Sequence, residues 1–263
     1  MNKSRRSFLK VAGLSAFALS SGVAALSSTA QAAATMPGSS YKMGAAALKA
    51  KRWAMVIDTR AFKGPEDYQP LIDACHKAHN VPTIKGSNQN IKWFWLDKFD
   101  HAFPDDINAY QAAGIKERMF PLLCNHCTNP PCVRVCPTQA TYQMHDGIVA
   151  MDYHRCIGCR FCMAGCPYGA RSFNFMDPRK HLPKEMPNPT FPTRMIGVVE
   201  KCTFCAERLA VGQMPACVEA AGGRILFGDL DDPNSDVRHA LAENYSIRRK
   251  PNLGTQPGVY YLI

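Results

Sequence analysis

The sequence predicts an α+β protein built from two similar modules, one inserted between the halves of the other, with long loops. Three observations predict it. Two four-cysteine runs of nearly the same pitch lie close together, Cys124-x2-Cys127-x4-Cys132-x3-Cys136-Pro137 and Cys156-x2-Cys159-x2-Cys162-x3-Cys166-Pro167. Partial runs flank them at a distance, with Cys75 upstream and Cys202-x2-Cys205 plus Cys217 downstream. Around all of these lie short apolar segments punctuated by Gly and Pro, the pattern of short strands and turns.

Taken in order, the chain opens on Ser4-Arg5-Arg6-Ser7-Phe8-Leu9-Lys10, then an apolar stretch from Val11 to Leu26, then Ala30-Gln31-Ala32. A basic start, an apolar centre and an A-x-A site make a secretory signal over residues 1–32, and the paired arginines resemble the twin-arginine signal. That route carries folded proteins, so it suits a chain whose cofactor is inserted before export. The expected location is therefore the periplasm. No other apolar run reaches the roughly 18 residues a membrane helix needs. Residues 33–50 are small and polar and read as a linker.

Trp53 to Asp58 reads as a strand, and Gly64-Pro65 marks a turn. Residues 85–120 form an insertion whose Trp93-Phe94-Trp95 reads as core. Thr141–Met144 and Ile148–Asp152 flank Asp146-Gly147, a hairpin signal. Ala170–Phe175 and Ile196–Glu200 are further strand candidates, and Arg224–Leu230 is a closing strand. Residues 177–194, with five prolines, read as a surface loop. Cys205 to Ala221 reads as helix broken at Gly212 and Pro215. The polar segment 232–263 shows no helical periodicity and reads as a tail that wraps the surface or binds a partner.

The chemistry lies in the cysteine spacing. The second run is the bacterial ferredoxin pattern C-x2-C-x2-C-x3-C-P, in which three thiolates from one tight loop hold one 4Fe–4S cube and the fourth reaches the neighbouring cube. The first run is the same pattern with two extra residues near Asn129-Pro130. Site A is then Cys124, Cys127, Cys132 and Cys166, and site B is Cys136, Cys156, Cys159 and Cys162. Zinc wants two well-separated knuckles with four ligands in all, and disulfides across C-x2-C-x2-C would be strained.

Four cysteines remain. After Cys217, the position of a fourth ligand is Ala221, and upstream of Cys75 the three expected cysteines are missing. In a paired module one cube takes three cysteines of one run and the fourth of the other. The two defects therefore remove one complete cube and leave Cys75, Cys202, Cys205 and Cys217 as site C, for three 4Fe–4S clusters in all. The alternative is that Cys75 is an ordinary buried thiol and that the remaining three hold a three-ligand or zinc site. His126, between two ligands of site A, reads as a supporting or structural residue rather than a ligand.

These residues resemble the multi-cluster, ferredoxin-like electron-transfer subunits of respiratory membrane complexes, the NrfC/DmsB-like family. The resemblance runs from about Trp53 to Leu230 and is carried by Met55-Val56-Ile57-Asp58, Asn80-Val81-Pro82, Cys124-Asn125-His126-Cys127, Asn129-Pro130-Pro131-Cys132, Cys156-Ile157-Gly158-Cys159, Lys201-Cys202-Thr203-Phe204-Cys205 and Pro215-Ala216-Cys217-Val218. It implies residues 51–123 and 196–231 as the halves of one ferredoxin-like module and 124–195 as the inserted dicluster module. It also implies an integral-membrane, NrfD-like quinone-reacting partner and a multihaem cytochrome c. Within the family, the signal, the three-cluster pattern and Val259-Tyr260-Tyr261-Leu262-Ile263 are most similar to the iron–sulfur subunit of the Dsr complex of sulfite metabolism.

The formal charge of +10 falls to about +6 once the four basic residues of the signal are removed. No basic run with interleaved aromatics accompanies it, so no nucleic-acid partner is expected. No Ser-His-Asp set, carboxylate pair or phosphate loop stands out, so the chain reads as an electron-transfer subunit without an active site of its own. Its rivals are a freely diffusing periplasmic ferredoxin and a zinc-stabilised interaction protein. Arg134, Arg155, Arg160 and Lys201, near the ligands in sequence, would favour the reduced form of a nearby cube, while each taken singly reads as a solvated surface charge.

Overall fold

The computed structural model describes residues 43–84, 89–183 and 188–263. The signal segment and most of the linker lie outside the described residues. The strands and longer helices run in the order β1 (Trp53–Asp58), α1 (Gln69–His79), β2 (Phe94–Lys98), β3 (Met119–Leu123), β4 (Thr141–Gln143), β5 (Val149–Met151), β6 (Ser172–Phe173), β7 (Val199–Glu200), α2 (Ala216–Ala221), β8 (Ile225–Asp229), α3 (Asp236–Glu243), β9 (Ser246–Ile247) and β10 (Val259–Leu262). One-turn helices at Pro131–Arg134, Phe161–Ala164 and Ala206–Leu209 follow or interrupt the cysteine loops. Helices and strands mix along the chain, consistent with an α+β protein.

The main sheet has the order β8-β1-β10-β9. β1 is apolar from Trp53 to Ile57 because both its faces are covered there. Met55 and Ile57 enter the main core, while Ala54 and Val56 pack with Leu230, Val237 and Leu262 under α3. β8 pairs antiparallel with β1, Met55 opposite Phe227, and β10 pairs parallel, Met55 opposite Val259. The remaining sheets are the two-stranded pairs β2-β3, β4-β5 and β6-β7. β4-β5 is the hairpin expected around Asp146-Gly147, and β6-β7 joins the two strand candidates that flank the proline-rich loop.

One reading needs correction. The segment 232–263 is not a surface-wrapping tail. Ser235 caps α3 by accepting from the Arg238 amide, and β10 runs through the middle of the main sheet with Val259, Tyr261 and Leu262 buried. The segment before Cys75 contains a helix. Tyr68 precedes α1, whose residues Leu71, Cys75 and His79, four apart, line its buried face. α1 ends at Asn80, which takes the left-handed conformation as its amide bonds back to His76 O. In the insertion, Trp93 and Phe94 are core as expected. No helix among the described residues is long and apolar enough to cross a membrane.

Candidate metal centres

All twelve cysteines are free thiols, and eight are buried. The C-x2-C loops share one local device. Each contains a residue with positive φ: His126 in the first, Gly158 in the second and Phe204 in the third. This left-handed step reverses the chain over two or three residues, so that successive cysteines can face one centre. At Gly158 the need for glycine is steric as well, since a Cβ would run into the Gly197 carbonyl and the Phe173 ring.

One cavity is lined by Cys136, Cys156, Cys159 and Cys162, closed on one side by Val199, whose amide donates to Cys156 Sγ at 3.5 Å. Here Cys159 is exposed and Cys136 and Cys156 are half-buried. Burial would raise Cys136, but hydrogen bonds from Thr141, Thr138 and Ala140 outweigh it and hold the thiol below its ordinary value.

Cys124, Cys127, Cys132 and Cys166 form a second set. Burial, with the charges of Cys124, Cys132 and Cys166 beside it, pushes Cys127 up to about 12 against a lowering hydrogen bond from Thr255. The third set is the deepest. Burial and the adjacent Cys202 and Cys217 push Cys75 well above the ordinary thiol range, and burial pushes Cys217 up to about 12. Cys205 is raised by burial and by Cys217, Glu207, Cys75 and Cys202. Cys75, which stands alone in sequence, is thus delivered to the 202–217 loop by α1, which packs against α2.

The sets are neighbours. Cys202 is raised by burial and next by Cys124, so the third set adjoins the first. Cys162, raised mainly by burial, also feels Cys132 and Cys156, so the first set adjoins the second. The His126 ring stacks on Phe204 with centroids 3.7 Å apart, joining the two loops. Its Nδ1 accepts from the Val149 amide at 3.0 Å, and burial followed by the Lys201 charge holds the ring well below its usual value. This geometry makes His126 a supporting ring between two loops.

The donor chemistry fits iron–sulfur cubes. Buried thiols raised this far stay neutral unless a metal cation takes the proton's place. Two buried cations beside them also lack a counter-ion. Lys201 is 0% exposed and donates to the Val149 and Cys202 carbonyls. Arg171 is 5% exposed and donates to Cys132 Sγ at 3.1 Å and Thr141 Oγ1 at 3.0 Å. Neither has a carboxylate within ion-pair distance among the described residues, whereas the buried Arg194 pairs with Glu200 at 2.8 Å. A cube with four thiolates carries net negative charge and supplies what these two cations lack.

Sequence reasoning missed Arg171, a single basic residue inside an apolar strand candidate, and that position is the signal that could have found it. It also missed His79 and Glu207. His79 donates from Nδ1 to the Cys75 carbonyl, and its Nε2 lies 2.8 Å from Glu207 Oε1, beside Cys205. Counting back from Cys75 with the spacing of the second run places Leu71, Tyr68 and Pro65 where a fourth cube would need cysteines. Leu71, Tyr68 and Ala221 are all buried there, Phe62 stacks on Tyr68 at 4.2 Å, and Arg224 lies 4.5 Å over Phe62.

Residues 115–182 match the model of the 4Fe-4S dicluster domain. The chain is 44% identical over 232 residues to the Hdr-like menaquinol oxidoreductase iron-sulfur subunit 1 of Archaeoglobus fulgidus, covering 80% of this chain and 83% of that one. It is 35% identical over 238 residues to the menaquinone reductase iron-sulfur cluster-binding subunit of Nitratidesulfovibrio vulgaris, covering 80% and 88%. It is 40% identical over 139 residues to the B subunit of polysulfide reductase of Wolinella succinogenes, covering 52% and 63%. This protein belongs to the family of iron–sulfur electron-transfer subunits of respiratory oxidoreductase complexes, and is not their catalytic subunit.

Proposed function

We propose that this chain carries three 4Fe–4S clusters in the row C–A–B and relays single electrons along them between an integral-membrane quinone-reacting partner and a second redox subunit. Site A would be held by Cys124, Cys127, Cys132 and Cys166, site B by Cys136, Cys156, Cys159 and Cys162, and site C by Cys75, Cys202, Cys205 and Cys217. The observation that supports the reading is that Cys136, Cys156, Cys159 and Cys162 line one cavity, while Cys127 feels Cys124, Cys132 and Cys166, and Cys75 feels Cys202 and Cys217. When bound, each cube accepts and gives up one electron; the protein's part is spacing, burial and hydrogen bonds to sulfur.

Several features support the architecture and the partners. β1 and α1 pair with β8 and α2 across 124–195, as expected if one ferredoxin-like module is inserted in the other. Around site B, Ile157 is 68% exposed and Phe161 58%, with Val135, Phe175 and Ile196 also exposed. An apolar collar around the most accessible thiols suits a docked subunit better than a freely diffusing ferredoxin. Two of the relatives are named for menaquinol or menaquinone chemistry, which favours a quinone-reacting partner. The twin-arginine pattern of residues 1–32 supports periplasmic placement at the inner membrane. A multihaem cytochrome c and a role in sulfite or sulfur metabolism rest on the resemblance to the Dsr subunit.

The test is co-purification from mild detergent, with reduction of this subunit by a menaquinol analogue. A docked relay co-purifies with the membrane subunit, and its brown absorption bleaches on quinol addition only when that subunit is present. Recovery only in the soluble fraction would support the diffusing carrier instead.

A further inference from the structure

We propose that Arg171 and Lys201 are positioning residues that set the cluster potentials, one at each seam of the row. The inference rests on the three-cluster reading above. Arg171 sits at the A–B seam: its guanidinium donates to Cys132 Sγ of site A and interacts with Cys162 of site B. Lys201 sits at the A–C seam: its ammonium donates to the Cys202 carbonyl of site C and faces His126, in the loop between Cys124 and Cys127.

The physics is the cost of charge in a dry interior. A buried cation without a counter-ion is costly, and each of these is tolerated only if negative charge lies close by. One-electron reduction makes a cube more negative by one unit. A fixed cation within the same low-dielectric seam therefore favours the reduced form of both cubes it touches and raises both potentials together. No proton moves, and the electron supplied by one partner is the electron delivered to the other. Each cation shifts the two cubes it touches in the same direction, and site A, which meets both Arg171 and Lys201, is raised the most.

The groups around each cation are consistent with this. Arg171 is otherwise met by the Thr141 hydroxyl and the Met151 sulfur. Lys201 is otherwise met by the Val149 carbonyl. Two other basic side chains are buried among the described residues: Arg194 is neutralised by Glu200, and Arg249 is met by the Ala102 and Tyr168 carbonyls and touches no cysteine sulfur.

The experiment is a redox titration followed by electron paramagnetic resonance, on full-length protein matured anaerobically, with iron and acid-labile sulfide counted on the same samples. Arg171→Gln is expected to keep its iron and to lower the equilibrium constant for reduction of sites A and B at least tenfold, about 59 mV for a one-electron couple. Site C should not move. Lys201→Gln is expected to shift sites A and C and to leave B. Arg171→Lys, which keeps the charge, should hold both potentials within that tenfold. If a glutamine variant loses iron, the charge-keeping variant at that position, Arg171→Lys or Lys201→Arg, decides: unchanged potentials support the proposal, and a tenfold fall overturns it. A full iron count with unmoved potentials in Arg171→Gln also overturns it. Fewer than about twelve irons in the unaltered protein would instead strike at the cluster reading itself.

Discussion

Glu200 shows how much one residue can hold. Its carboxylate receives Arg194 Nε at 2.8 Å, Trp93 Nε1 at 2.8 Å and Asn174 Nδ2 at 2.5 Å, and Arg194 in turn donates to the carbonyls of His79 and Asn80. The end of α1, the insertion and the strand entering the Cys202 loop therefore meet at one buried ion pair. Glu200→Ala strands the guanidinium and is expected to cost about 3–5 kcal/mol in denaturant unfolding. Trp93→Phe removes one donor from a carboxylate that keeps the others, and should cost about 1 kcal/mol. Equal midpoints for Glu200→Ala and the unaltered chain would contradict this. The sequence told little of it: Glu200-Lys201 beside a ligand reads as two ordinary charges, because a sequence shows charge but not the partner that permits burial. The cysteine positions were legible for the opposite reason, since iron–sulfur ligation demands a fixed local spacing.

At the scale of elements, short-range signals were legible and long-range pairing was not. The β4-β5 hairpin announced itself through Asp146-Gly147, and the break between the helix at Ala206–Leu209 and α2 through Gly212 and Pro215. β10 gave only four apolar residues at the end of a polar stretch, and its main partner, β1, lies some two hundred residues away. Nothing in local periodicity reports such a pairing. Once placed, the strand is central: Tyr261 is buried, donates to the Pro121 carbonyl at 2.9 Å and packs against Phe103. Tyr261→Phe should cost about 1–3 kcal/mol by leaving that carbonyl unsatisfied. Truncation after Gly258 should leave β1 with an open edge and yield insoluble protein on expression. Soluble, brown truncated protein would show that β10 is dispensable.

Over the whole molecule, the arrangement is a row of three cysteine sets. Leu71 and Cys75 lie one helical turn apart on the same face of α1, yet they belong to different parts of the design. Leu71 is fully buried in the core, so Leu71→Ala should cost about 2–5 kcal/mol of stability and leave the iron content unchanged. Cys75 is a proposed ligand, so Cys75→Ala should remove one cube. The absence of cysteine at four ligand-like positions was legible in the spacing; what stands there was not, because the burial of Phe62, Tyr68, Leu71 and Ala221 shows only after folding. The row also explains why the burial of the thiols is uneven: site C is enclosed by α1 and α2, while site B opens to the surface where a partner can approach.

The measurement that tests this account most directly is iron and acid-labile sulfide per chain, on protein matured anaerobically, for the unaltered sequence and for Cys75→Ala. The account predicts about twelve of each in the first and about eight in the second. About eight irons in both would mean that the Cys75, Cys202, Cys205 and Cys217 set holds no cube, and the row would end at site A.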